Sequence, residues 1–184
     1  MRQGTARGLR LMHASWIEHE LSSLKKLHAA GADVPEPFAS ARNAILMTYI
    51  GDEYVTAPTL NTVKLKPREA DRLLERVLHN VRIMLANNMV HGDLSAYNIL
   101  YWNGEITIID FPQVVNPYFN RSAGEFFKRD IHRICEYFSR QGVKVNADQL
   151  TTDLWFNRFH HSADEMHYEE PKEEANNDGL RAAL

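Results

Sequence analysis

Three polar residues near the middle of the chain have the types and spacing needed for chemistry. Asp93 and Asn98 lie five residues apart in the stretch VHGDLSAYNIL, and Asp110 follows seventeen residues after Asp93. An amide oxygen and a carboxylate are hard oxygen ligands, which suit Mg²⁺ bound to the phosphates of a nucleotide. Asp93 is suited to accept the proton of an attacking hydroxyl. Two carboxylates and one amide, without a cluster of His or Cys, favour phosphoryl transfer over zinc-dependent hydrolysis.

A β-hairpin is predicted beside these residues. The segments ILYW and EITII flank an Asn-Gly pair at 103–104, and Asn-Gly is preferred in two-residue hairpin turns because both positions tolerate positive φ. A two-residue turn places Ile99 opposite Ile108 in the antiparallel pair. Asn98 and Asp110 then leave the open end of the hairpin together, within a few ångströms of each other. The hairpin therefore joins residues that are distant in sequence into one site.

Four helices are predicted around the hairpin from apolar residues that recur at three- and four-residue steps. Capping boxes are predicted at Ser15–Glu18 and Ser122–Glu125, where each pair of side chains can satisfy free backbone N–H groups. Gly31 is expected to end the first helix, Pro67 to open the second, and Asn146 to cap the last. The predicted helices span 15 to 31, 67 to 87, 123 to 140, and 146 to 155.

The remaining segments lack a helical period. Residues 1–14 contain arginine and glycine and are predicted to be loop, and the prolines make Asp33–Pro37 an extended connector. A short apolar run from Ala44 to Tyr49 predicts a buried strand, and a loop is expected over 52–66. From His161 onward the chain is acidic and polar. We expect this tail to be disordered, because it has too little apolar surface to pack.

The composition is that of an ordinary globular protein, with 184 residues, 44% of them hydrophobic, and a formal net charge of −3. A single cysteine, Cys135, excludes a disulfide framework and a zinc site with several thiolates. It suits a reducing compartment, so we expect a cytoplasmic protein. No apolar stretch approaches the roughly 20 residues that span a bilayer, and MRQGTARGLRLMHASW predicts no signal peptide. The near-neutral balance argues against a dedicated nucleic-acid binder.

The segment HGDLSAYNIL, followed by IIDFPQ, resembles the RIO family of atypical protein kinases. In that family the catalytic loop reads H-x-D-L-S-x-x-N-x-L and the metal-binding segment reads I-D-x-x-Q. The family's Arg-Asp pair in a later helix is matched by Arg129-Asp130. WIEHELSSLKKLHAAGADVPEP resembles its αC region, and AILMTYIG resembles its last N-lobe strand and hinge. The matching residues of the two motifs are His91, Asp93, Leu94, Ser95, Asn98, Leu100, Ile109, Asp110 and Gln113.

The resemblance covers about residues 15–155 and implies a protein-kinase-like α+β fold. It implies a partial N-lobe over 15–51, made of the αC helix, a strand and the hinge. A helical C-lobe over 52–160 is expected to carry the catalytic hairpin. A flexible basic loop over 1–14 and an acidic disordered tail over 161–184 complete the predicted organisation.

The resemblance also implies roles for residues at the phosphate end of the site. Asp93 is expected to be the catalytic base, and Asn98 and Asp110 the ligands of Mg²⁺ bound to ATP. Ser95 is expected to hydrogen-bond within the loop or to orient phosphates. His91, two residues before the base, is expected to hold the loop in place rather than to catalyse.

Four further residues are implied to surround the rest of a bound ATP molecule. Glu20 is expected to be the αC glutamate that pairs with the ATP-binding lysine. Met47 is expected to lie at the back of the adenine pocket. Thr48 and Ile50 are expected to offer backbone groups of the hinge to the adenine ring.

The sequence departs from the family pattern ahead of the αC segment. It contains no glycine-rich strand–loop–strand and no lysine-bearing strand there, so we expect an N-terminally truncated chain in which Glu20 lacks its cationic partner. A buried carboxylate without a partner is costly, so Glu20 is expected to be exposed or protonated. Gly92 replaces the arginine of the H-R-D motif of ordinary protein kinases, and Pro112 stands where a D-F-G glycine would be.

The leading hypothesis is a RIO-type serine/threonine protein kinase or ATPase that uses Mg²⁺ and ATP and acts on a protein substrate or on itself. In the family this activity is linked to ribosome maturation, so ribosomal particles are expected partners, with no membrane and no direct nucleic-acid motif. One alternative is a small-molecule kinase of the aminoglycoside or choline phosphotransferase type, whose loop also reads close to H-G-D-x-x-x-x-N. Another is an inactive pseudokinase fragment that binds partners.

Overall fold

The structure, a computed structural model, describes the backbone of residues 6–41 and 44–165 and the side chains of 16–41 and 44–158. Helices and two small antiparallel sheets alternate along the chain. In order they are α1 (Ala6–Ala29), β1 (Pro37–Ala41), β2 (Ala44–Met47), a 3₁₀ turn (Leu60–Thr62), α2 (Pro67–Ala86), a second 3₁₀ turn (Ala96–Asn98), β3 (Ile99–Trp102), β4 (Glu105–Ile108), α3 (Ala123–Arg140) and α4 (Ala147–Glu165).

The hairpin of β3 and β4 has the predicted turn and register. Ile99 pairs with Ile108 at the open end, and Trp102 pairs with Glu105 beside the turn. The turn residues at 103–104 have φ angles of 50° and 85°, which asparagine and glycine adopt more readily than other residues. The sequence prediction of the hairpin is therefore confirmed at the level of individual residue pairs.

Helix α1 is longer than predicted. It begins at Ala6, so the predicted loop is wrong over residues 6–14, and Ser15 lies inside the helix rather than capping it. The segment ARGLRLMHA is rich in Ala, Arg, Leu and Met, which are strong helix formers and outweigh one glycine. The helix ends at Ala29, and Gly31 follows with a φ of 80°. Its predicted end near Gly31 is confirmed.

The predicted strand after the connector exists but is not buried. Strand β2 pairs antiparallel with β1, which begins at Pro37, where the sequence predicted only an extended connector. The side chain of Leu46 is 64% exposed. A two-stranded ribbon that contacts a single helix, here α1, has one face left to solvent. Because one face of the ribbon is open to solvent, the apolar run from Ala44 to Tyr49 is only partly buried.

The core lies between α2, the hairpin and α3. Helix α2 begins at Pro67 as predicted, and the bounds of α3 match the predicted range. The predicted capping box of α3 is wrong, because the Ser122 side chain makes no capping hydrogen bond. The Ser122 N–H instead donates to Asn120 Oδ1 at 2.9 Å. Fully buried core side chains include Leu73, Val77, Ile99, Ile108, Phe111, Ile131, Ile134 and Phe138.

Helix α4 begins as predicted and extends further. The N–H of Gln149 donates to Asn146 Oδ1 at 3.0 Å, which confirms the cap. The helix continues past the predicted end at Trp155, so residues 161–165 are helical and not part of a disordered tail. The segment WFNRFHHSADE contains neither glycine nor proline, so nothing local ends the helix. The rest of the predicted tail, 166–184, lies outside the described residues.

A charged network fastens the end of α1 to the core. The Asp33 carboxylate accepts two hydrogen bonds from Arg76 and one from the Asn80 amide, each 2.6 Å long. The Asp33 N–H donates to Asn80 Oδ1 at 2.6 Å. The carbonyl of Asp33 accepts a hydrogen bond of 2.8 Å from the N–H of Ile108 in β4. One residue thus joins α1, α2 and the hairpin.

Two further properties concern the chain as a whole. Cys135 is buried in α3, and burial raises the pKa of its thiol to about 11. None of the described helices combines the length and the apolar character needed to cross a membrane.

Candidate active site

The hairpin brings the predicted metal ligands side by side. The Ile109 N–H donates to the Asn98 carbonyl at 3.0 Å, so Asp110 follows directly beside Asn98. Asn98 Nδ2 donates to the backbone carbonyl of Asp93 at 3.0 Å, so the amide oxygen Oδ1 is not used in this contact. Asp110 is exposed and has a φ of 70°, a sparsely populated conformation that recurs at functional sites. Three polar side chains therefore converge at one end of the hairpin.

His91 supports the loop from inside. Its ring is 2% exposed, and its Nε2 lies 3.1 Å from the Ile109 carbonyl. Its Nδ1 accepts a hydrogen bond of 3.3 Å from the N–H of Asp93, which places the ring proton on Nε2. Burial lowers the His91 pKa, so the ring is neutral. The predicted supporting role fits these contacts, because His91 ties the base to the strand that delivers Asp110.

The backbone at Gly92 packs so closely against Gln113 that only a glycine fits there. Its φ is 81°, and a Cβ at this position would overlap the carbonyl of Gln113. Its N–H donates to Asp130 Oδ2 at 2.9 Å, and its carbonyl accepts a hydrogen bond from Arg129. Burial raises the pKa of Asp130 to about 6, although the backbone groups of Leu94 and Gly92 oppose this. Arg129 and Asp130 of α3 thus hold the catalytic loop in place by hydrogen bonds to the backbone of Gly92.

Arg133 is a site residue that the sequence did not reveal. Its guanidinium donates to Asp93 Oδ1 at 2.7 Å, with the two side chains 42% and 33% exposed. Arg133 lies one helical turn after Arg129, so it faces the same loop. That spacing was the available signal, but an arginine on an exposed helix face has many other uses. The contact orients the carboxylate of the expected base.

Helix α1 places Glu20 next to Asp110 and Phe111. His19 Nε2 lies 3.1 Å from the Val114 carbonyl, which holds the helix against the segment after Asp110. Glu20 is half-buried, and burial raises its pKa. The Phe111 backbone N–H opposes this shift, and the Asp110 carboxylate adds to it. Within the described residues no lysine or arginine forms an ion pair with Glu20.

Comparison with known families bears on this arrangement of loop, hairpin and helix. The model of the RIO domain matches residues 2–150, which is most of the chain. The chain belongs to the RIO domain family. The resemblance predicted from the catalytic loop and the metal-binding segment is therefore confirmed.

Two relatives and one solved structure show how far the similarity extends. Serine/threonine-protein kinase rio1 of Schizosaccharomyces pombe is 37% identical over 152 residues, which cover 82% of this chain and 30% of that protein. RIO-type serine/threonine-protein kinase Rio1 of Haloferax volcanii is 34% identical over 137 residues, which cover 74% and 46%. The crystal structure of the Rio2 kinase–ADP/Mg²⁺–phosphoaspartate complex from Chaetomium thermophilum has a TM-score of 0.63 and 25% identity, covering 82% and 47%. The chain spans less than half the length of each of these three proteins.

Two backbone groups in the hinge segment of this RIO domain are available to a ligand, and two others are already hydrogen-bonded. The Thr48 N–H donates to the Glu36 carbonyl at 2.9 Å, and the Ile50 carbonyl accepts from the Ala57 N–H at 3.0 Å. Within the described part of the chain, the Thr48 carbonyl and the Ile50 N–H have no backbone partner. Met47, just before them, is half-buried against the core. An adenine edge needs one acceptor and one donor of this kind.

Ser95 has a local structural role in the RIO domain loop. Its hydroxyl accepts a hydrogen bond of 3.3 Å from the Tyr97 N–H and caps the 3₁₀ turn. Its carbonyl accepts from the Asn98 N–H at 3.0 Å. These bonds hold Asn98 in position. They match the first of the two expected roles of Ser95, a hydrogen bond within the loop.

The donor set at the hairpin end fits a magnesium ion. Asn98, just before β3, and Asp110, just after β4, offer one amide oxygen and one carboxylate, both hard ligands. Mg²⁺ usually takes one or two protein ligands of this kind and completes its octahedron with water and substrate phosphates. The residues present can therefore hold the ion only together with a phosphate-bearing ligand.

Proposed function

We propose that this RIO domain is a serine/threonine protein kinase that uses ATP and Mg²⁺. The observation that carries the proposal is the convergence of Asp93, Asn98 and Asp110 at the open end of one hairpin. The S. pombe and H. volcanii relatives are serine/threonine protein kinases, and the Rio2 complex contains ADP and Mg²⁺. This kinship favours a protein acceptor over the small alcohols and amines of the aminoglycoside or choline type.

In the proposed reaction Asp93 accepts the proton of a serine or threonine hydroxyl. The hydroxyl oxygen bonds to the γ-phosphorus of ATP as the bond to the bridging oxygen breaks, and ADP leaves. Arg133 holds the Asp93 carboxylate in one orientation, and Asn98 and Asp110 hold the metal. When bound, Mg²⁺ neutralises the charge of the phosphates. A positioned base of this kind contributes about 10²–10⁴-fold to the rate.

The nucleotide is expected to lie between the hinge and the hairpin end. The Thr48 carbonyl and the Ile50 N–H would receive the adenine edge, with Met47 behind it. Glu20 adds a carboxylate near Asp110 that no cation offsets in the described residues, so the phosphate end is more acidic than a lysine-bearing site. We therefore expect ATP binding to depend strongly on Mg²⁺.

Calorimetric titration of Mg²⁺-ATP into the purified chain tests this proposal. Wild type should bind in the micromolar range, and Asp110→Ala should abolish binding while circular dichroism remains unchanged. Asp71→Ala, on the exposed side of α2, is the matched control and should bind as wild type does. If the folded wild-type chain binds no nucleotide, the kinase proposal fails and the pseudokinase alternative takes its place.

A second use of ATP is supported by the Rio2 complex, which contains a phosphoaspartate. Here an aspartate oxygen would attack the γ-phosphorus, ADP would leave, and water would later hydrolyse the acyl phosphate. Asp110 suits this role better than Asp93, because its carboxylate accepts no hydrogen bond within the described residues, whereas Arg133 holds Asp93. A phosphorylated chain whose label is released by hydroxylamine would support the ATPase route. A hydroxylamine-stable label would support transfer to a hydroxyl.

Binding to ribosomal particles and a cytoplasmic location stay predictions. Co-sedimentation of the chain with ribosomal subunits on a sucrose gradient tests the first, and fluorescence imaging of a tagged chain tests the second.

A further inference from the structure

A cleft of about 680 Å³ opens beside the expected base. Its floor is the catalytic loop from Asp93 to Asn98, and its wall is the last half of α3. Neither Asp110 nor the hinge residues line it. Asp93 and Asn98 both line it, so the cleft adjoins the proposed nucleotide site. Three further lining residues, Arg133, Glu136 and Arg140, lie along α3.

The position of the base indicates what enters this cleft. A general base must reach the proton it removes, at a heavy-atom distance of about 2.6–3.2 Å. The attacking hydroxyl must therefore approach Asp93 from the side that the ATP phosphates do not occupy. The cleft opens at Asp93, and the hinge residues and Asp110 do not line it, so it offers such an approach. If the proposed function holds, an acceptor segment binds along α3.

Two arginines face this segment from the same side of α3. Arg133 is held by Asp93 at 2.7 Å. Arg140 follows seven residues later, which is two helical turns or about 10.5 Å along the axis. An extended peptide covers that distance with about three residues. A side chain two to four residues from the acceptor hydroxyl can therefore reach Arg140.

The Arg140 guanidinium is able to change partner. It pairs with Glu136 at 3.0 Å, with the two side chains 66% and 67% exposed. An exposed pair at this helical spacing contributes little to stability, because water screens both charges. A carboxylate from a bound peptide can replace Glu136 without burying an unpaired charge. Arg140 is thus an exchangeable anion contact at a fixed distance from the base.

The charge balance of the cleft favours a protein segment over nucleic acid. The two guanidiniums, of Arg133 and Arg140, are matched by the carboxylates of Asp93 and Glu136. A polyanion needs an excess of positive charge along its path, and this lining supplies none. A single acidic side chain needs only the one exchangeable guanidinium.

We propose that this cleft binds the protein acceptor in an extended form and that Arg140 selects an acidic side chain two to four residues from the serine or threonine. This inference rests on the proposed function for the identity of the acceptor. Arg140 is a specificity-determining residue in this scheme, and Glu136 competes with the substrate for it.

Peptide binding, measured by fluorescence anisotropy, tests the inference without requiring catalysis. Fluorescein-labelled peptides of Ala and Gly carry one Ser and, at a single position from −4 to +4, either Glu or Gln. Wild type should bind at least one Glu peptide about threefold to tenfold more tightly than its Gln partner. Arg140→Gln should remove the preference, and Glu136→Gln should increase it because the competitor is gone. Arg82→Gln, on the exposed side of α2, should leave the preference unchanged.

The outcomes separate this inference from the proposed function. A chain that binds Mg²⁺-ATP but shows no Glu preference at any position overturns the inference alone. A Glu preference in a chain that binds no nucleotide supports the cleft and contradicts the kinase proposal. Retention of the preference in a folded Arg140→Gln variant also overturns the inference. So does displacement of the peptide by a uridine oligonucleotide at equal concentration, which would indicate a nucleic-acid site.

Discussion

At the scale of single residues, the site is organised around one carboxylate. The Asp93 backbone carbonyl accepts from Asn98, its N–H donates to His91, and its side chain accepts from Arg133. Two of these contacts come from the same loop, and the third comes from α3, forty residues away. The base therefore has a fixed orientation before any ligand arrives, which avoids a reorganisation cost during the reaction.

Asp93→Asn should lower the rate of phosphoryl transfer by about 100-fold or more, because an amide cannot accept the proton. The shape of the side chain is almost unchanged, so the affinity for Mg²⁺-ATP should stay within about twofold. Transfer of radioactive phosphate and calorimetric binding are measured on the same preparation. Asp71→Asn serves as the control and should keep the wild-type rate. Full activity in Asp93→Asn would exclude this carboxylate as the base.

Gly92→Ala tests the close packing under the base. An alanine there meets both an unfavourable φ and the carbonyl of Gln113, so we expect a loss of unfolding free energy of about 2–4 kcal/mol. Gly142→Ala is the control, because Gly142 has a φ of 97° and nothing within 4 Å of an added Cβ. It should cost only about 1–2 kcal/mol. Equal costs in urea unfolding would show that the Gln113 carbonyl can move aside.

At the scale of elements, α3 supports the catalytic loop along its length. Arg129 and Asp130 hold the loop at Gly92, and Arg133 holds the base one turn later. The buried face of the helix packs in the core, so these contacts connect the loop to the core.

Asp130 predicts a pH dependence of stability. Burial raises the pKa of its carboxyl from the ordinary value of 3.8 to about 6, so the folded protein takes up this proton at a higher pH than the unfolded chain. The stabilisation from the protonated form is complete below pH 3.8 and is lost as the pH rises through about 6. Asp130→Asn mimics the protonated form. Relative to it, wild type should lose up to about 3 kcal/mol of unfolding free energy as the pH rises from about 4 to about 7.

Urea unfolding of both proteins across this pH range measures the difference directly. Titrating groups far from Asp130 contribute equally to both curves and cancel in the comparison. A difference that does not change with pH would show that Asp130 keeps the same pKa in the folded and unfolded states.

The elements differ in how far local sequence determines them. The Asn-Gly turn at 103–104 was predictable with its register, because backbone conformation alone selects those residues. The capping box at Ser122 was predicted wrongly, because Asn120, two residues earlier, accepts the hydrogen bond of the Ser122 N–H that the box assigned to Glu125. Arg133 could not be assigned either, since its partner Asp93 is forty residues away. Strand β1 was missed because PFASA lacks the β-branched residues by which a strand is recognised.

At the scale of the whole molecule, one small network joins the two sides of the proposed nucleotide site. Asp33 lies after α1, which carries Glu20, and it binds Arg76 and Asn80 of α2. Its carbonyl binds Ile108, two residues before Asp110. Asp33 therefore links the helix that carries Glu20 to the strand that leads to Asp110, in addition to the contact of His19 with the Val114 carbonyl.

Asp33→Asn should lower the unfolding free energy by about 1–3 kcal/mol, because hydrogen bonds to a charged group are lost while Arg76 stays partly buried. Arg72→Met is the control, since the Arg72–Glu105 pair is exposed and should contribute less than about 1 kcal/mol. Chemical denaturation with intrinsic tryptophan fluorescence measures both. A cost for Asp33→Asn no larger than that of the control would show that the network does not fasten α1.

Because its one thiol is buried in α3, the chain is suited to site-specific labelling at a newly introduced cysteine. Cys135 is the single cysteine of the sequence, and a buried thiol whose pKa is raised to about 11 reacts slowly with maleimides near neutral pH. A cysteine introduced by Tyr97→Cys, at a side chain that is 69% exposed at the edge of the cleft, would therefore take a dye selectively. An environment-sensitive fluorophore at that position would report the arrival and departure of peptides in real time, in a chain that needs no prior removal of native cysteines.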